Sequence, residues 1–158
     1  MNNAIQMPRD EFGRLLNLLL EAERAGAKLL AAYLDELPPQ SDAWVRLRVI
    51  QRDEARNCAV LIHLLLEVDV EPSSATGDFH LKGLGIRGWR ERLEFLNRGQ
   101  TWVARRIAAA LPRVSGPGPR GMLHAMYESH LVNIDVCQKL LDLGAGSPHP
   151  GRPCAVID

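Results

Sequence analysis

Aromatic side chains are scarce in this 158-residue chain, 5% against an apolar fraction of 46%, so its interior must be filled by helices packing through Leu and Ala. Cysteine is scarcer still. Cys58, Cys137 and Cys154 are an odd number without metal-type spacing, which reads as two small buried thiols and one in a tail. Charge of one sign is missing too: 19 basic and 19 acidic residues cancel, so neither nucleic acid nor an anionic membrane is an expected partner. No apolar run reaches the ~18 residues of a membrane span, and no basic-then-apolar signal pattern opens the sequence. The expectation from these absences is a cytoplasmic protein. No internal repeat is clear. What is present is enough chain for one domain with a sizeable core.

That core has helical periodicity. A first helix is expected over 8–37, opening at Pro8 and stopped by Pro38-Pro39, with an inner face of Phe12, Leu16, Leu19, Glu23, Gly26, Leu30 and Leu34. The opposite stripe, Arg14, Asn17, Glu21, Arg24 and Lys28, reads as surface. Ser41 is a good cap for a second helix to about Val68. Its inner face is Trp44, Leu47, Ile50, Glu54, Asn57, Leu61, Leu64 and Val68, while His63 falls outside. Residues 69–83 carry Pro72, Gly77 and Gly83 and read as irregular. A segment of that length can extend ~50 Å, longer than a helix of about 40 Å, so it can cross the whole length of a helical bundle.

A third helix over 84–111 turns Ile86, Trp89, Leu93, Leu96, Gln100, Val103 and Ile107 inward, with its arginines outside. A Gly/Pro-rich turn over 112–119 leads to a fourth helix ending near Leu143. Its inner residues are Leu123, Met126, His130, Asn133, Cys137 and Leu141. Two short connections and one long one imply an all-α four-helix bundle over residues 1–143, followed by a Gly/Pro-rich tail over 144–158. Such a tail is ordered only where it packs on something, a second subunit for example.

Four inward polar residues share one level. Glu23 and Glu54 lie fifteen residues to either side of Pro38-Pro39, each about 22 Å along its helix. Gln100 and His130 are placed alike around Val114-Ser115. Glu23, Glu54, Asn57, Gln100, His130 and Asn133 should therefore converge at mid-height in an otherwise apolar interior, where polar groups need partners.

This layout resembles the ferritin-like superfamily, in which two helices give a Glu each and two give Glu-x-x-His. Segments Glu54-Ala-Arg-Asn-Cys58, Thr76-Gly-Asp-Phe79, Leu96-Asn-Arg-Gly-Gln-Thr-Trp102 and His130-Leu-Val-Asn-Ile134 are similar to a bacterial ferritin-like family over most of the chain. The resemblance implies an up-down-down-up bundle with a long crossover between its second and third helices. It also implies iron or manganese chemistry and helix-on-helix homodimers. The motif is degenerate: Asn57 replaces a histidine, Gln100 a glutamate, and His130 stands where a glutamate is expected.

Two carboxylates match one divalent ion rather than two. The sharper expectation is a single iron or manganese ion held by Glu23, Glu54 and His130, with Asn57, Gln100 and Asn133 supporting them. Ferrous iron there would react with oxygen or peroxide, with Tyr127 the nearest redox-capable side chain. The alternative is a structural hydrogen-bond network inside a non-catalytic dimeric interaction or stress-response module. Its contact patch would draw on the off-core Leu18, Leu29, Val49, Val60 and Val132.

Overall fold

A computed structural model describes residues 5–144, and these are helical without a strand among them. Four long helices, α1 (Arg9–Asp35), α2 (Asp42–Glu67), α4 (Trp89–Ala110) and α5 (Pro117–Asp142), are joined by two short turns and one long connection. The connection carries a short helix, α3 (Phe79–Leu84). The tail over 145–158, with Cys154, lies outside the described residues.

Local chemistry accounts for the boundaries. Pro8 is extended and caps α1 from outside rather than forming its first turn. Ser41 Oγ accepts the Trp44 N–H at 3.2 Å, satisfying one of the free amides at the start of α2. Gly116 opens α5 with a φ of 83°, a conformation that side-chain-bearing residues seldom adopt. Two boundaries differ from expectation. Residues 79–84 form α3 instead of an irregular run, and α4 begins at Trp89 instead of near residue 84. Gly85 ends α3, and Gly88 is extended ahead of α4.

The long connection is not a loose loop. It runs beside α1, held by the stripe that reads as surface in the sequence. Arg9 donates to the carbonyls of Val68 and Asp69, and Asn17 bonds both the Glu71 carbonyl and the Ser73 N–H. Ser73 Oγ donates to Glu21 at 2.5 Å, Arg24 holds the Ser73 and Ala75 carbonyls, and Lys28 donates to Thr76. Glu21 is therefore a tether, not a solvated residue. At the top, Tyr33 Oη donates to the Gly83 carbonyl at 2.8 Å, and Gly83 lies against Leu29, which is fully buried. Leu29 thus leaves the expected contact patch because α3 covers it.

The core has two apolar halves. One gathers Leu29–Leu37 of α1 and its turn, Ala43–Ile50 of α2, Trp89–Leu96 of α4 and Cys137–Leu141 of α5. The other gathers Phe12–Leu20, Leu61–Leu65, Val103–Ala110 and Leu123–Met126 of the same four helices. Between them lies a layer of buried polar side chains. Among the described residues, no helix is long and apolar enough to cross a membrane.

Candidate functional site

The layer between the two apolar halves holds Glu23, Glu54, Asn57, Gln100, His130 and Asn133, each at most 7% exposed. Every one stands on the inner stripe of its helix, between the two apolar halves. The helical period delivers them to the same depth.

Five of the six are linked by hydrogen bonds. His130 is the hub: Nε2 lies 2.6 Å from Glu23 Oε1, and Nδ1 faces Gln100 Oε1. The Gln100 amide turns its Nε2 to donate to Glu54 Oε1, so its carbonyl oxygen is left to accept from the His130 Nδ1–H. Asn57 Nδ2 donates to Glu23 Oε2 at 3.3 Å. Asn133, one turn along α5, is buried but is not joined to this chain of bonds, and its Nδ2 has no partner among the described residues.

The second carboxyl oxygen of Glu54 is also without a partner among the described residues. It lies over Gly26 of α1, where a Cβ would collide with the carboxyl group. Burial first, and the charge of Glu23 second, push the Glu54 carboxyl well above the ordinary glutamic value of 4.5, against the lowering pull of the Gln100 N–H. With Oε1 accepting from Gln100, a proton held by Glu54 resides on Oε2.

A resident divalent ion needs several donor lone pairs aimed at one point. Here both ring nitrogens of His130 and both oxygens of Glu23 face protein partners, and Glu54 joins the chain only through Gln100. Among the described residues, no group of three or more His, Cys, Asp or Glu side chains is arranged to hold a metal ion. The expected set of Glu23, Glu54 and His130 is thus assembled at one depth, but in this arrangement it does not fit a resident iron or manganese ion. Tyr127 packs in the apolar half beyond the layer.

One buried charge escaped the sequence reading. Arg92 is 7% exposed; it donates to the Ile86 carbonyl at 2.7 Å and to Glu36 at 2.6 Å. Its guanidinium lies 4.6 Å from the Tyr33 ring centre and 4.9 Å from that of Trp89. In sequence it sits within an arginine-rich stretch, and its one distinguishing signal is its place beside Leu93 and one turn from Trp89.

The chain belongs to the family described as Domain of unknown function (DUF6306), whose model matches residues 10–139. No curated protein and no solved structure matches it.

Proposed function

We propose that this DUF6306 domain is a non-catalytic, ferritin-like four-helix module that acts as a homodimer, with a hydrogen-bond network at the level where the ferritin-like superfamily holds metal. The observation that carries this reading is the bridging of Glu23 to Glu54 through His130 and Gln100. Each bond in that chain joins two helices, and a one-turn slip of any helix would break it. The network therefore fixes register as well as satisfying buried groups.

The up-down-down-up order is part of the proposal. It is supported by the sharing of one apolar half by the C-terminal ends of α1 and α5 and the N-terminal ends of α2 and α4. It is supported too by the tethering of the long connection along α1. For the dimer, the face between α2 and α5 is the best candidate. Asp53 and Ser129 bond across it, and one turn from each stand Val49 and Val132, 52% and 62% exposed.

Elemental analysis of the protein purified without chelator, beside Glu54→Ala, tests the network. Equal, near-zero iron, manganese and zinc in both is the expected result. A stoichiometric ion in the wild type that Glu54→Ala loses would overturn it in favour of a metal on Glu23, Glu54 and His130.

A further inference from the structure

Acidic residues are absent from a long stretch that begins partway along α4. Residues 95–127 contain no Asp or Glu, yet they carry Arg98, Arg105, Arg106, Arg113 and Arg120. Two of these are engaged: Arg113 pairs with Glu11, and Arg120 donates to the Val114 carbonyl. Arg98, Arg105 and Arg106 are exposed, and no ion pair among the described residues includes them. In a chain whose charges cancel overall, this is a local excess of positive charge.

The three arginines line one groove between α4 and α5, with a volume of about 860 Å³. No acidic side chain among the described residues lines it. Thr101 and Trp102 stand between Arg98 and Arg105, and Gln138 borders it from α5. Asn97 donates to the Ile134 carbonyl at 3.3 Å, tying the two helices together along the groove. The Arg106 guanidinium lies 4.7 Å from the Trp102 ring centre. That contact occupies one face of the guanidinium and leaves its N–H edge available. Arg98 also borders the cavity beside α3, where Glu21, Asp78 and Lys82 stand. It pairs with neither acid: Asp78 holds Lys82 at 2.8 Å, and Glu21 accepts from Ser73 at 2.5 Å.

Spacing and charge together select the ligand. Arg98 and Arg105 are two helical turns apart, so their backbones lie about 10 Å from each other on one side of α4. Long side chains at that spacing can converge on an anion above Thr101, and a guanidinium fork matches phosphate oxygens bidentately. One phosphate engages one fork, whereas several linked phosphates engage all three. The groove is also bounded. Glu94 pairs with Arg90 one turn before Arg98, Asp135 pairs with Lys139, and Asp142 accepts from Gln138. A long polyanion continued past Arg98 would therefore meet negative charge, which favours a compact one. We infer that this groove binds a short polyphosphate group, such as a triphosphate chain, gripped by Arg98, Arg105 and Arg106. None of these side chains belongs to the polar layer, so the inference stands apart from the network reading.

Isothermal titration calorimetry of the full chain with sodium tripolyphosphate, in the absence of divalent metal, tests it. One tripolyphosphate per chain is expected, about tenfold or more tighter than inorganic phosphate. Affinity should fall between about 50 mM and about 200 mM salt, as screening requires. Arg98→Gln and Arg105→Gln should each weaken binding about fivefold or more. Arg98→Gln/Arg105→Gln/Arg106→Gln should abolish it while circular dichroism stays unchanged. Arg87→Gln removes an exposed arginine outside the groove and should leave the affinity unchanged. Titration with ATP separates two sources of the same chemistry. Tighter ATP binding supports the inference with a nucleotide as the source, and equal or weaker ATP binding supports it with free polyphosphate. No saturable tripolyphosphate binding, affinity that survives loss of all three arginines, or an equal loss in Arg87→Gln overturns the inference. So does tighter binding of a single-stranded oligothymidylate of matched charge, which would mark a nucleic-acid surface instead.

Discussion

Glu54 shows how much one side chain's surroundings can change its chemistry. Its folded-state pKa is raised by burial and by Glu23, so between 4.5 and that higher value the folded form holds a proton that the unfolded chain releases. The stabilisation this represents is full at acid pH and is lost as pH rises through the folded pKa. Glu54→Gln keeps the acceptor for Gln100 and removes this loss. The variant should melt higher than wild type at about pH 8, with the difference closing as pH falls toward the ordinary glutamic value; a wild type that is the more stable at about pH 8 would contradict this. Arg92 presents the opposite case, a charge buried only because aromatic faces and Glu36 surround it. Glu36 is 54% exposed, so the ion pair itself counts for little, and the loss in Arg92→Ala comes mainly from packing and the Ile86 bond. About 2 kcal/mol, roughly 6 °C in Tm for a domain of this size, is expected in thermal denaturation.

At the scale of elements, α3 is what the periodicity of the long helices does not reveal. Six residues cannot hold a helix alone, and α3 is maintained by its packing on α1. A Cβ on Gly83 would come within 2.6 Å of Leu29 Cδ1 in a fully buried position, so Gly83→Val should lift α3 from α1. Hydrogen exchange over 79–84 should accelerate while the ends of α1 stay protected, and unchanged exchange would mean that Leu29 yields instead. The cysteines report on helix direction. Cys58 packs with the lower apolar half and Cys137 belongs to the upper, and burial pushes their thiols up to about 11 and about 12. In a Cys154→Ser background, oxidation of the native protein should produce no Cys58–Cys137 bridge, as peptide mapping would reveal. Formation of that bridge without unfolding would be incompatible with the proposed helix order.

For the whole molecule, the exposed Val49 and Val132 beside the Asp53–Ser129 bond are where the proposed dimer would form. Light scattering after size exclusion at micromolar concentration is expected to give the mass of a dimer, and Val132→Lys should shift it to a monomer without lowering helicity. A wild-type monomer under those conditions would remove the dimer from the proposal. At the same scale, the polar side chains of the layer bond mainly to one another.

Much of this was readable from residue order alone. The four long helices, their inner stripes, the Ser41 cap and the common depth of Glu23, Glu54, Gln100 and His130 follow from a period of 3.6 and from where prolines and glycines interrupt it. The partners within the layer did not follow. Equal depth brings side chains together, but which oxygen meets which nitrogen depends on rotamers chosen by all four helices at once. Tertiary packing alone decided that the outer stripe of α1 grips the long connection, that α3 hides Leu29, and that Arg92 lies inside. Each joins residues about fifty positions apart, and local periodicity carries no record of what another segment will lay across a helix.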